Sequence, residues 1–420
     1  MFVAHHSGRT RLARRAFLLV GLLPAALLAG FGAWRHAPAH RRSVERSLEA
    51  ALGVGLSAGR VVHPRPGVVR LEGVVARVGG EVVATIPRVE LETSAGEVRL
   101  RASGVEASPR AASLAARLGR DWLGEPHRFG RNVVVECEGV WLAAGDGSGA
   151  GVDARFALRG ECVAAGNGRA IRVRSLADGD DDALEVQAFG ETEAEPARIE
   201  IQSALARPVA LGLVAAILDR PGLVDRLGGG ATVAGRCGLV VEGGALRGTI
   251  AGSLDGVDLA ACTRTLPLAA EGRARVEVAS ATLSGGRLAA ADATISGGPG
   301  AVDRATLDVL LGVVGARPGP AWGGAGAPRR VPYDALEARI TLDVSGLRFG
   351  AASPQGLLAV GGRALLEPPL QPLPVDRLAW ALSPGATRAV PATEASAWIL
   401  SVLPLPPSTG ALPADGPARR

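Results

Sequence analysis

The sequence predicts a mostly β protein carried by one N-terminal transmembrane helix, with antiparallel strands and a few short helices. Three observations predict it. Ala16–Trp34 (AFLLVGLLPAALLAGFGAW) is nineteen residues without a charge. A helix of that length reaches about 30 Å, the thickness of a bilayer's hydrocarbon core. Much of the remaining chain alternates apolar and charged residues with a period of two, which puts apolar side chains on one sheet face and charges on the other. Glycine recurs every ten to fifteen residues between these runs, the spacing of turns in an all-β protein.

The anchor comes first. Arg9, Arg11, Arg14 and Arg15 precede the apolar run, and Arg35, Arg41 and Arg42 follow it. Phe17, Leu18, Leu19, Leu22, Leu23, Leu27, Leu28, Phe31 and Trp34 are the side chains expected to meet lipid. Ala37-Pro38-Ala39 also fits a signal-peptidase site, and Arg14-Arg15-Ala16-Phe17-Leu18 resembles a twin-arginine leader. The length of the run and the adjacent Arg35 favour a retained signal-anchor, N terminus inside and the bulk of the chain outside. The formal charge of +5 sits on the flanks. Residues 1–42 hold seven Arg and no acid, leaving 46 − 7 = 39 basic against 41 acidic residues, a net of −2. With aromatics at 3%, a nucleic-acid partner is excluded on both charge and stacking.

The remaining elements follow in order. Ser43–Leu52 is expected to be a short helix capped by Ser43. GVVRLEGVVARVG (67–79) is the first strand or strand pair, followed by TIPRVELET and GEVRLRAS. Pro109–Arg120 is a helix opened by proline. Strands are expected at 132–143, 171–176, 184–189 and 198–203, with Asp178–Asp182 as a solvated loop. Residues 207–228 are apolar but interrupted by Asp219-Arg220-Pro221-Gly222, and so predict a helix–turn–helix insert. Strands resume at 230–244, 245–260, 273–283 and 286–298, Val302–Val314 is a helix, 315–330 is a Gly/Pro loop, and 335–349 and 356–366 return to strand. The domain reading is anchor 1–42, a first β region 43–203, a second 204–383, and a Pro-rich tail 384–420. About fourteen strands at ~4.8 Å make a sheet roughly 70 Å long.

Catalytic motifs are missing. Of six His, only His63 and His127 lie beyond the anchor's flanks, far apart and with no Asp/Glu/His/Cys cluster beside either. There is no G-x-S-x-G, H-E-x-x-H, P-loop or dinucleotide fingerprint. No enzyme, metal or cofactor is expected. Cys137, Cys162, Cys237 and Cys262 are separated by 25, 75 and 25 residues. None forms a C-x-x-C, so either two disulfides, Cys137–Cys162 and Cys237–Cys262, or four free thiols fit.

The pattern resembles the AsmA-like proteins of bacterial envelopes, relatives of TamB. The residues that carry the resemblance are the anchor, then ERSLEAALGVGLSAGRVVHPRPGVVRLEGVVARV, PRVELE and GEVRLRASGVEASP, and later GALRGTIAGSLDGVDL, ATLSGGRLAAADATISGG and ALEARITLDVSGLRFG. It covers most of 40–366. The resemblance implies an elongated, curled antiparallel sheet forming a groove with an apolar interior, tethered to the inner membrane with its bulk in the periplasm. It also implies a part in outer-membrane assembly and in phospholipid movement. Removing a sixteen-carbon acyl chain from a bilayer costs about 0.8 kcal/mol per CH₂, roughly 12 kcal/mol, so a carrier must offer a dry face. Val98, Leu100, Val133, Val135, Ile171, Val173, Ile199, Ile201, Val276, Val278, Ile340 and Leu342 are the expected lining. The same residues packed together would make an ordinary β-sandwich core. Two functions therefore stand: a lipid-handling envelope factor, or a tethered β scaffold that recruits an envelope protein through its edges.

Overall fold

The computed structural model describes residues 14–52, 54–124, 131–142, 155–165, 168–176, 185–191, 198–218, 220, 222–264, 268–323, 328–343 and 345–374. The expected Asp178–Asp182 loop, the tail from 384, and Arg9, Arg11, His5, His6 and His127 lie outside them.

Helix α1, Arg14–Arg35, is 22 residues long and apolar enough to cross a membrane. Phe17, Leu18, Leu19, Leu22, Leu23, Leu27, Phe31 and Trp34 are all exposed on it. Its turn at Leu18–Leu22 is widened, so that the N–H of Leu23 donates to the Leu18 carbonyl. The cause is Pro24, which has no N–H and whose ring crowds the carbonyl four residues back. The helix stops at Ala37 (ψ 144°), because a residue before proline avoids the helical region. Pro38 then opens α2, Pro38–Leu52. The start therefore falls five residues before the expected Ser43 cap, and Ser43 lies inside the helix.

Fifteen of the nineteen strands in one curled sheet follow one another along it; the other four are the short segments Glu106–Ala107, Arg317–Pro318, Leu358–Val360 and Arg363–Glu367. The fifteen are β1 Gly55–Arg65, β2 Val68–Val78, β3 Glu81–Thr93, β4 Glu97–Ser103, β5 Asn132–Leu142, β6 Arg155–Ala165, β7 Gly168–Leu176 and β8 Glu185–Glu191. Then come β9 Arg198–Ala210, β10 Thr232–Glu242, β11 Ala245–Asp258, β12 Arg273–Ser284, β13 Arg287–Gly297, β14 Ala335–Asp343 and β15 Gly346–Ala351. Fourteen steps of ~4.8 Å give an arc of about 67 Å. β1 precedes the first expected strand; Gly59, His63 and Pro64 break its alternation in sequence. β9 spans the 203/204 division, and the sheet is continuous across it.

Two-residue turns join several strands. Gly79–Gly80, Gly243–Gly244 and Gly285–Gly286 all have positive φ, the type I′ geometry that matches strand twist and that glycine adopts without strain. One connection differs. Helix α3, Pro109–Gly124, carries the chain back across the sheet, so β5 pairs parallel to β4. A parallel neighbour requires such a crossover. Glu106–Ala107 also pairs parallel to β5, and among the described residues the other ladders are antiparallel.

The insert is shorter than expected because β9 runs to Ala210 before α4, Leu211–Ile217, and α5, Gly222–Leu227. β11 ends at Asp258, two residues before the expected end at Ala260; the Asp258 carboxylate accepts the Ala260 N–H (2.9 Å) and caps α6, Leu259–Thr263. The helix over 302–314 begins later, as α7 Arg304–Val309, and ends in a wide turn, Leu310–Val314. In the 315–330 loop, Trp322 stacks under the Arg304 guanidinium at 4.3 Å.

The cores lie at the two ends of the ribbon. Ala58, Val61, Leu71, Val74, Val89 and Val140 form the first, joined by Val44 and Leu48 of α2. Val302, Leu307, Tyr333, Leu358 and Leu366 form the second, and Val314, Leu342, Leu347 and Leu373 a third beside it. Strands β8 to β12 contribute no residue to any of these cores. Both outer edges are met by other segments of the chain. Along β1, Glu45 of α2 accepts the Ala58 N–H (2.9 Å) and Arg41 donates to the Gly59 carbonyl (3.2 Å). Along β15, Leu347 and Leu373 exchange two backbone hydrogen bonds.

Candidate functional site

The site is a face, and register builds it. Residues opposite one another across a ladder share a face. Val98 lies opposite Val133, Val133 opposite Cys162, Cys162 opposite Ile171, Ile171 opposite Ala188, and Ala188 opposite Ile201. Ile201 then meets Leu239, Leu239 meets Gly248, and Gly248 meets Leu283. The neighbouring row starts Leu100–Val135–Gly160–Val173 and ends Ala291–Leu342. Ile199 is opposite Val241, and Val278 is opposite Ala293, which is opposite Ile340. All twelve expected lining residues, Val276 included, therefore share one face.

They are not equivalent. Leu342 is only 3% exposed, with Ile340 packed beside it under Val314. Leu100 packs on the first core. These three are core residues, and their reading as groove lining is corrected, because helices close over the sheet at both ends. The rest of the twelve are half-buried. The open part also includes Leu239, Val241, Leu246 and Ile250, which the sequence reading passed over. Alternation in CGLVVE and ALRGTI carries their signal. Among the described residues no second sheet is stacked on this stretch; the other sheet has three short strands, at Ala270–Glu271, Gly300–Asp303 and Arg330–Tyr333.

The opposite face is charged and paired. Arg70 and Arg88 both bond Glu90 (2.7 and 2.6 Å), Arg101 bonds Glu136 (3.0 Å), Arg174 bonds Glu185 (3.0 Å) and Arg339 bonds Asp292 (2.7 Å). Hydrogen bonds from Arg88 and Arg70 hold Glu90 below the usual carboxylate range. Gln187 and Arg174 lower Glu185 in the same way, and Arg339 lowers Asp292. A depression lined by Glu185, Gln187, Gln202, Arg236 and Thr249 also takes in Ser203 and Cys237, whose side chains bond each other.

The cysteines are free thiols. Cys137 lies opposite Leu158, four residues from Cys162. That separation, about 13 Å along the strand, exceeds the ~7 Å a disulfide tolerates. Cys237 bonds Ser203 (3.0 Å) on β9, while Cys262 sits in α6. The disulfide alternative is therefore corrected. Burial pushes Cys162 up to about 11 and raises Cys137 and Cys262. His63 is not alone: α2 folds back along β1 and brings the His40 Nε2 to 2.9 Å from the His63 Nε2. Among the described residues no three His, Cys, Asp or Glu gather as a metal site. The chain matches no protein-family model and no curated protein.

Proposed function

We propose that this chain is an AsmA-like envelope factor of the bacterial inner membrane, single-pass, with the sheet in the periplasm. It handles phospholipid by receiving acyl chains on its apolar face, and it performs no catalysis. The observation that supports this reading is one continuous apolar row across the sheet, half-exposed in the middle and with no second layer over it among the described residues. A face of this kind is costly in water, at about 25 cal/mol per Å² of exposed apolar surface. The same face offers a bilayer tail an exchange of apolar contacts. The apolar α1 keeps the sheet beside a supply of tails.

Native mass spectrometry of the full chain released from detergent tests it. The expected result is bound phospholipid, lost in Ile199→Glu/Ile201→Glu while circular dichroism and the melting temperature hold. Lipid-free wild type would favour the scaffold reading and an envelope protein partner.

A further inference from the structure

The apolar face is not open from end to end. α3 lies across it, with Gly119 closed down on Ile171 and Leu123 on Gly190. Trp122, only 5% exposed, is stacked with the Arg169 guanidinium at 4.7 Å. α4 braces this helix through a hydrogen bond from the Ser113 hydroxyl to the Ala216 carbonyl. At the other end Val314 and Leu310 pack against Leu288, Ile340 and Leu342. Between these two stops lie the part of β8 beyond Gly190 and the four strands β9 to β12.

We propose that the lipid seat is bounded: acyl chains occupy the floor of β8 to β12, between α3 and the Leu310–Val314 turn, and do not run the length of the ribbon. The inference rests on the lipid reading above and adds where the tails lie. The floor carries Ile199, Ile201, Leu239, Val241, Ile250 and Val278, and its positions in register hold no charged residue. Its polar side chains, Ser203 and Cys237, bond each other. Its backbone groups are paired with strands on both sides, which leaves nothing for an added strand to pair with. An occupant must therefore be content with apolar contact alone, as an aliphatic chain is. The size agrees. Four strand steps give about 19 Å across, and eight residues along β10 give about 27 Å. One leaflet's tails reach about 15 Å, half of a ~30 Å hydrocarbon core. A file of lipids along the full sheet would need the strip beneath α3, which that helix fills.

The experiment is photolabelling of the full chain in membranes containing a phospholipid with a diazirine in its tail, followed by peptide mapping. Adducts are expected on α1, on 199–205, on 233–241 and on 246–254, and not on 98–102, 133–137 or 158–162. Adducts spread evenly over both sets would overturn the bounded seat and leave lipid handling standing. Adducts confined to α1 would overturn both, and would make the floor a seat for protein.

Discussion

At the scale of single residues, burial separates a packed side chain from an available one. Leu366 is 0% exposed, among Leu358, Leu357 and Tyr333. Leu239 belongs to no core and is half-buried on the open floor. Leu366→Ala should lose roughly 2–5 kcal/mol, the transfer term plus a cavity. Leu239→Ala should lose less than about 1 kcal/mol, since no cavity closes around it. Denaturant unfolding of the two variants checks the contrast. Equal losses would mean that the floor is packed like a sandwich interior. The face assignment was legible from sequence residue by residue, because a period of two is fixed by strand geometry. Which of those residues are covered was not legible. Leu342 and Ile201 sit in equally regular alternation, ARITLD and RIEIQS, and differ only in what the chain folds over them.

At the scale of elements, charges and helices decide the outcome. The paired outer face makes stability depend on pH. Glu90, Glu185 and Asp292 have lowered folded-state values. Their contribution is therefore present above the ordinary carboxylate range and is lost as pH falls through the lowered values. Melting temperature should hold from neutral pH down to the ordinary carboxylate range and fall below it. Glu90→Gln should flatten part of that fall, and added salt should weaken the pairs at neutral pH. A melting temperature indifferent to acid would remove these pairs from the account. The thiols make a second test. With Cys162 pushed up to about 11, and Cys137 raised likewise, iodoacetamide at neutral pH should modify neither in the native chain but both after denaturation. Sequence located α3 well but not its consequence. That a sixteen-residue helix returns the chain to make β4 and β5 parallel depends on where β5 pairs, a contact between distant segments. β1 was hidden for a local reason, since Gly59 and Pro64 interrupt its period.

At the scale of the whole molecule, an arc of about 67 Å sets a length. Electron microscopy of the full chain in nanodiscs should show a body extending no further than that from the disc. A markedly longer body would mean that the ribbon uncurls or that copies join. The ladder itself argues against joining. A sheet with bare edges is a template, and each added strand exposes a fresh one. Here Glu45 and Arg41 occupy one terminus of the ladder, and the Leu347–Leu373 pair occupies the other. In the language of polymerisation, the sheet carries a chain stopper at each end. Copies held at high density in a membrane should remain discrete particles, and fibre growth would first require one stopper to leave.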